Sequence, residues 1–289
     1  MEHIKYSTKL LGVLTLYKPD VRQVTNNIKK YIAHLDKLIL WDNSPSDECV
    51  HNSLLPELTD YQEKILWNAT GENRYIAPAI NFAWHYAQEQ GYDLLLIMDQ
   101  DSQWVDFPTY RKTIEQSFCA GNLQVYTPYI NGFDEWAIEK PIQERSVFIN
   151  SGTIIPVTIL TAINGADEFF PLDALDTDLS YRIRKTGYQI KCYTNCHLSH
   201  TVGNPIRKGP FHLFTNNYGR ERTYSITKCH IMCYRRHRDI MTAYERRKFF
   251  KEIFMWKFIR ICLAEDDKLG RFRMFFKGIK DGITYKINS

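Results

Sequence analysis

Over the first two thirds of the chain, short apolar runs alternate with stretches whose apolar residues recur at helical spacing. LLGVLTL at residues 10–16 is apolar enough for a strand, and Pro19 and Asp20 then open a helical pattern through Val24, Ile28, Tyr31 and Ile32. Residues 38–41 (LILW) form a second strand pattern that ends at Asp42, and residues 64–67 form a third. Small and apolar residues at Ile76, Ala79, Ile80, Ala83, Tyr86 and Ala87 predict a helix that stops at Gly91, a residue suited to a left-handed C-terminal cap. Residues 94–98 (LLLIM) are apolar throughout, as in a strand covered on both faces. Strands separated by helices of this length predict an α/β fold with a mostly parallel sheet and right-handed crossovers.

The alternation loosens after Tyr126. A strand-like run covers residues 146–155 and contains Ser151 and Gly152; the acidic segment FFPLDALDTDLSYRIRKTGY follows. From Phe211 the pattern is helical and basic, through KFFKEIFMWKFIRICL and RFRMFFKGIK. The net charge of +4 hides this change: residues 207–280 carry 19 Lys/Arg against 7 Asp/Glu, a surplus of 12 that leaves the rest of the chain at −8. Two regions with different partners are expected, an α/β domain at 1–205 and a helical, basic extension at 206–289. No internal repeat and no low-complexity linker interrupts them.

At 44% hydrophobic and 24% charged, the 289 residues have the composition of a globular protein with a sizeable core. The N-terminal apolar stretch is too short, and wrongly flanked, for a cleaved signal, and no charge-free run approaches the roughly 18 residues of a membrane span. A cytoplasmic protein is expected. Seven cysteines in such a context predict reduced thiols rather than a disulfide framework. Cys192 and Cys196 with His197 and His200, or Cys229 and Cys233 with His230, allow a zinc site on paper, although the spacing is wider than a zinc knuckle and buried small thiols are the simpler reading.

The candidate chemistry begins where LLLIMDQDS ends a buried strand in two carboxylates, Asp99 and Asp101. Held together, they need a cation or hydrogen-bond donors, and oxygen ligands suit Mg²⁺ or Mn²⁺ shared with substrate phosphates. Capping of the following loop is the competing use. Ligands of parallel sheets sit beyond the carboxyl ends of the strands, and Thr15, Tyr17, Asp42, Asp99 and Asp101 all fall there. Asp42 is placed to accept from a pyrimidine imide or a ribose hydroxyl; Asn73, Arg74 and Asn81 surround a helix start, which favours anions. LDALDTD adds Asp173, Asp176 and Asp178, followed by Arg182 and Gly187.

Taken together, GVLTLYKPD, LWDNS, ENRYIAPAINFAWHYAQEQGYDLLLIMDQDS, INSGTIIP and ADEFFPLDALDTDLSYRIRKTGY resemble, in order and spacing, the family 2 glycosyltransferases. Within them the resemblance is to the bacterial rhamnosyltransferase-like group of O-antigen and capsule synthesis. It implies the GT-A fold and an inverting, metal-dependent transfer of sugar from a nucleoside diphosphate, with L-rhamnose from dTDP-L-rhamnose as the favoured donor and a UDP-hexose as the alternative. Thr15, Tyr17 and Asp42 would hold base and ribose, with Asn73 and Arg74 also on the donor. Asp99 would contact ribose or metal, Asp101 the cation that bridges the diphosphate, and His200 the metal or diphosphate. Asp176, six residues before Arg182, matches the family's catalytic base, which leaves Asp173 and Asp178 on the acceptor side. Arg222, with Arg220 as the rival register, matches an arginine near the diphosphate. Three positions depart from the family's pattern: Tyr75 stands where glycine is usual, Thr223 where asparagine is, and Leu175 where many members carry glutamate.

The basic region carries an apolar stripe at Phe250, Ile253, Phe254, Trp256, Phe258 and Ile261. With no nucleic-acid-binding signature present, the stripe reads as an amphipathic element on an anionic membrane surface, or as one packed on the α/β domain. The first use fits a peripheral enzyme whose saccharide acceptor rides on a lipid carrier. A nucleic-acid binder and a non-catalytic nucleotide-sugar binder are the readings from other classes.

Overall fold

The computed structural model describes residues 7–131, 134, 138–200, 206–209 and 211–286. The chain forms two compact units, Met1–Thr201 and Val202–Ser289. The first runs β1 (Leu10–Leu16), α1 (Val21–Lys29), β2 (Lys37–Pro45), α2 (His51–Leu54), β3 (Ile65–Gly71), α3 (Ala77–Gln90), β4 (Leu94–Asp99), β5 (Ser102–Trp104), α4 (Phe107–Cys119), β6 (Val125–Asn131), β7 (Ile142–Glu144), β8 (Thr153–Pro156), α5 (Val157–Ala162), α6 (Leu175–Lys185) and β9 (Ile190–His200).

One nine-stranded sheet orders these strands β3-β2-β1-β4-β8-β6-β9-β5, with β7 beside β9. β3, β2, β1 and β4 are parallel neighbours, as the alternating sequence predicts. Beyond β4 the sheet turns mixed: β8 runs antiparallel to β4 and β6, β6 is parallel to β9, and β5 and β7 are antiparallel to β9. Leu10, Leu14, Leu38, Leu40, Leu94 and Leu96 pack with Ile28, Ile32, Phe107 and Tyr110 into the core. Burial of each such side chain contributes about 1.5–3 kcal/mol.

Local signals set several boundaries. The Asp20 carboxylate accepts the Gln23 amide and starts α1, while Gly91 ends α3 in the left-handed conformation at φ 66°. The strand expected over 146–155 contracts to β8. Gly152 is the reason: it turns the chain at φ 78°, and a Cβ there would lie 2.8 Å from both Leu198 and Pro128.

The second unit starts with a hairpin, β10 (Ile206–Lys208) and β11 (Leu213–Thr215), where a helical pattern from Phe211 is expected; helix begins only at Arg220. α7 (Arg220–His237), α8 (Ala243–Phe250), a π-helical stretch at Lys251–Trp256, α9 (Lys257–Leu263) and α10 (Lys268–Thr284) follow. α10 lies close against α7 because it presents Gly278 and Gly282, where a Cβ would stand 2.9 Å from Thr227 and Ile231. The apolar stripe divides, with Ile253 and Ile261 buried and Phe250 and Phe258 exposed. No helix among the described residues is long and apolar enough to cross a membrane.

Candidate functional site

The parallel register brings the ends of β1, β2 and β4 level. Thr15 pairs with Trp41 on one side and Asp99 on the other, and Leu16 pairs with Asp42. Tyr17, exposed just past β1, is clamped by Gln100 of the DQD triplet: its N–H donates to Gln100 Oε1 (2.7 Å) and its carbonyl accepts from Nε2 (3.1 Å). The residue between the two aspartates thus joins the β1 and β4 ends.

Asp42 is wholly buried. Its Oδ1 accepts the Ser44 amide at 2.8 Å, whereas among the described residues Oδ2 has no nitrogen or oxygen partner. Burial, and after it the Asp42 carboxylate, push up the Cys49 thiol against a hydrogen bond from the His51 backbone. A buried carboxylate oxygen without a donor is costly alone and satisfied by an incoming N–H or O–H. Beside it Asn43 Oδ1 accepts from Trp41 Nε1 (2.9 Å) and the Arg74 amide (3.2 Å), and its Nδ2 donates to the Tyr75 carbonyl (2.6 Å).

That loop explains one departure and corrects one expectation. Tyr75 sits at φ 63°, in the left-handed region where glycine is at home. The α3 start does not await an anion, because the Ile76 and Ala77 amides already donate to the Pro171 carbonyl, at 2.9 and 3.2 Å. Asn81 is a staple rather than a ligand group: its side chain pairs with both backbone groups of Ala166 and with Glu168. Arg74 pairs with Glu72 on the surface, next to the exposed Asn73.

The acidic cluster assembles at the β4 end. One ligand atom each from Asp99, Asp101 and His200 lie within 4.8 Å of one another. His200 reaches this point because β9 pairs with β5, where His200 is the register partner of Ser102. Its Nδ1 is 2.7 Å from Ser102 Oγ and 3.3 Å from Asp101 Oδ1. Ser102 Oγ accepts from Ser151 Oγ at 2.6 Å, and Ser151 Oγ accepts the Asp99 amide at 3.2 Å. Burial lifts the Asp99 carboxyl to about 6; His200 opposes this, and Asp101 and Asp176 add to it. Burial pulls the His200 imidazole down, but Asp101 and Asp99 outweigh it, so its pKa is raised. Two carboxylates and an imidazole this crowded fit a hard divalent cation, whose charge would favour the carboxylate form that burial disfavours at Asp99. His200 is thereby withdrawn from the paper zinc site, and His197 Nδ1 faces Asn131 Oδ1 at 2.9 Å instead; Cys192 and Cys196 are buried thiols that burial raises to about 11.

The three aspartates of LDALDTD differ sharply in setting. Asp176, in the first turn of α6, is partly exposed; its Oδ1 accepts the Thr177 amide at 2.8 Å, and its charge acts on Asp99. Asp178 is fully buried with Arg182 Nη1 3.6 Å away, and Asp173 is buried as well. Arg182 donates to the Gly165 carbonyl at 2.8 Å and also to that of Ile163, so it holds the loop before the acidic segment.

The two arginine candidates belong to the second unit. Arg220, exposed, pairs with Asp267. Arg222 stacks over the Tyr218 ring at 5.1 Å. Thr223 is fully buried and donates to the Gly219 carbonyl at 3.1 Å, a position where a small side chain fits.

Sequence reasoning passed over Gln100, Asn43, Cys49, Ser102 and Ser151 as site residues. Ser102 and Ser151 lie inside DQDS and INSG, but only the pairing of β5 with β9 shows that they meet.

No family model matches the chain, and no curated protein matches it in sequence. Solved structures do share its fold. TarS of S. aureus, residues 1–349 in complex with UDP-GlcNAc, has a TM-score of 0.61 at 12% identity, over 96% of this chain and 81% of that one. The Pyrobaculum calidifontis mannosyltransferase PcManGT, with GDP-Man and Mn²⁺, gives 0.56 at 11%, over 98% and 80%. GalNAc-T7 with UDP, GalNAc and Mn²⁺ gives 0.58 at 11%, over 96% and 57%. Against the longer TarS structure the chain spans 44% of the length, with a TM-score of 0.52 at 10% identity. The nine-stranded unit and its flanking helices are thus the GT-A fold of these glycosyltransferases.

Proposed function

We propose that this chain is an inverting, metal-dependent glycosyltransferase that moves a sugar from a nucleoside diphosphate to a saccharide hydroxyl. The observation that carries the reading is the convergence of separate motifs at the end of β4: Asp99, Asp101 and His200 bring ligand atoms within 4.8 Å of one another, and Asp176 acts on the Asp99 charge. Structures of the same fold hold UDP-GlcNAc or GDP-Man, and PcManGT holds Mn²⁺, which supports a nucleotide-sugar donor and a divalent cation, Mg²⁺ or Mn²⁺.

In this reading Asp99, Asp101 and His200 hold the cation, whose chemistry is to offset negative charge on the departing diphosphate. Asp42 accepts from the base or ribose, and Thr15, Tyr17, Asn73 and Arg74 line the donor side, with Arg222 assigned to the diphosphate. Asp176 takes the proton of the acceptor hydroxyl. The freed oxygen bonds to the anomeric carbon from the side opposite the diphosphate, which leaves with the electron pair of the broken C–O bond. Base catalysis of this kind contributes about 10²–10⁴-fold. Its partial exposure in the α6 first turn favours Asp176 over the buried Asp173 and Asp178, which are kept for the acceptor side.

The resemblance favours dTDP-L-rhamnose as donor, with a UDP-hexose as the alternative. A lipid-linked acceptor at the cytoplasmic face of an anionic membrane is supported by the surplus of 12 basic charges in residues 207–280 and by exposed Phe250, Met255, Phe258 and Phe276. Each basic residue near such a surface contributes about 1 kcal/mol. A panel of nucleotide sugars, each with Mg²⁺ or Mn²⁺, tests the donor: the true one raises the unfolding temperature by mass action. Protection by dTDP-L-rhamnose is expected. If no nucleotide sugar protects, the transferase reading fails; flotation with neutral and anionic vesicles tests the membrane separately, and equal failure to float would remove it.

A further inference from the structure

The second unit contains a cavity of about 270 Å³ whose lining includes none of the residues assigned to the transfer. Phe214 and Thr215 of β11, Asn216, Tyr218, Ile226 of α7, Lys257 and Arg260 of α9, and Glu265 line it.

Within the wall, Lys257 and Arg260 stand with one carboxylate, Glu265. Among the described residues Glu265 is the one acid in the wall, and it is nearly wholly buried. Arg271 Nη1 donates to its Oε2 at 2.8 Å, Thr215 Oγ1 donates to its Oε1 at 3.0 Å, and Lys257 Nζ stands 3.6 Å from the same oxygen. Two buried cations therefore meet at this carboxylate, and Arg271 also acts on the charges of Asp266 and Asp267. Arg260 adds a third positive group, paired with Glu252 at 3.7 Å on the surface. Two more guanidinium groups cover the wall's rings: Arg207 lies 4.4 Å from Phe214 and Arg222 5.1 Å from Tyr218. Burial, with Arg271 and Arg260, pushes the Lys257 ammonium pKa down against the pull of Glu265. A buried ammonium beside two guanidinium groups is stabilised by a further anion.

Two features narrow the ligand. Among the described residues Asn216 Oδ1 is buried without a hydrogen-bond partner, so the wall also calls for a donor, which a bare anion does not supply. Phe214 and Tyr218 present aromatic surface beside the cations. The volume lies just below the roughly 300–1,000 Å³ usual for drug-sized ligands, which suits a small group rather than a nucleotide sugar.

We propose that this cavity binds the phosphate ester of a sugar, with Lys257 and Arg260 on the phosphate, Asn216 Oδ1 accepting from a sugar hydroxyl, and the Phe214 and Tyr218 rings against the sugar. That the ester belongs to the saccharide acceptor rests on the transferase reading; binding itself does not.

Calorimetric titration with glucose 1-phosphate, in EDTA and without nucleotide, tests the site on the full chain. Saturable binding is expected, with inorganic phosphate and free glucose each weaker by about tenfold or more, the scale of one charge-assisted hydrogen bond. Arg260→Gln, at a partly exposed position, and Lys257→Met are each expected to weaken binding about tenfold, and Lys257→Arg to restore most of it. Asp101→Ala, which alters the proposed metal cluster, is expected to leave it unchanged. Absence of saturable binding, affinity unaltered by Arg260→Gln, inorganic phosphate binding as well as the ester, or loss in Asp101→Ala would each overturn the assignment. None of these results bears on Asp176, so this inference and the transfer reading fail separately.

Discussion

Ser151 Oγ donates to Ser102 Oγ at 2.6 Å, joining a turn after β7 to the strand that follows the DQD triplet. Through this contact the Asp99 amide, Ser151, Ser102 and His200 form one chain of short polar contacts. Both hydroxyls are almost wholly buried, so neither has water as an alternative partner. Ser151→Ala is expected to cost about 1–3 kcal/mol of stability, because it strands the Asp99 amide and Ser102. The same change is expected to weaken Mn²⁺ binding about tenfold, on the scale of groups that orient metal ligands. Electron paramagnetic resonance titration of free Mn²⁺ checks the second effect; unaltered affinity in the folded variant would confine Ser151 to packing.

The acidity of Asp99 gives a pH signature in the metal-free protein. Its carboxyl is lifted from an ordinary 3.8 to about 6 in the folded chain. Between those values the folded state keeps a proton that the unfolded state has released, so stability falls as pH rises from about 4 to about 6. At about 1.4 kcal/mol per unit the loss is at most about 3 kcal/mol. Denaturant unfolding across that range measures it. Asp99→Asn is expected to flatten the slope, and saturating Mn²⁺ to reverse it.

Tyr75 bears on the loop that Asn43 holds. At φ 63° an ordinary side chain costs about 1–2 kcal/mol, and a β-branched one more. Tyr75→Gly is expected to be neutral or slightly stabilising, as the relief of strain is set against the greater freedom of glycine when unfolded. Tyr75→Val is expected to destabilise by about 1–2 kcal/mol. Chemical denaturation of the pair decides whether backbone or ring governs this position.

Arg182 predicts a change of stability without a change of binding. Its guanidinium satisfies the Gly165 and Ile163 carbonyls and faces the buried Asp178. Arg182→Met leaves the two carbonyls unmatched and removes the positive charge facing Asp178, and is expected to cost about 3 kcal/mol or more. Nucleotide affinity of the folded fraction is expected to stay within about twofold; a selective loss of affinity would place Arg182 in the site.

The parallel half of the fold was legible because each strand from β1 to β4 contains a short apolar run. The same pattern placed Thr15, Asp42 and Asp99 on neighbouring strand ends, which the register confirms. The mixed half was not legible. β5, β7 and β8 are three or four residues long and owe their places to pairing with distant strands. Ser102, Ser151 and His200 meet only through those pairings. Asn81 and the α3 start misled for a related reason: their polar groups are used by the chain itself, at Ala166 and Pro171, and composition carries no mark of that.

The role of Asp176 is tested most directly by Asp176→Asn, assayed for donor binding and for acceptor-dependent release of nucleoside diphosphate. The substitution keeps shape and removes the base. Donor affinity is expected to hold while transfer falls by about 10²–10⁴-fold. Transfer at the parental rate would contradict the assignment of Asp176 as the base.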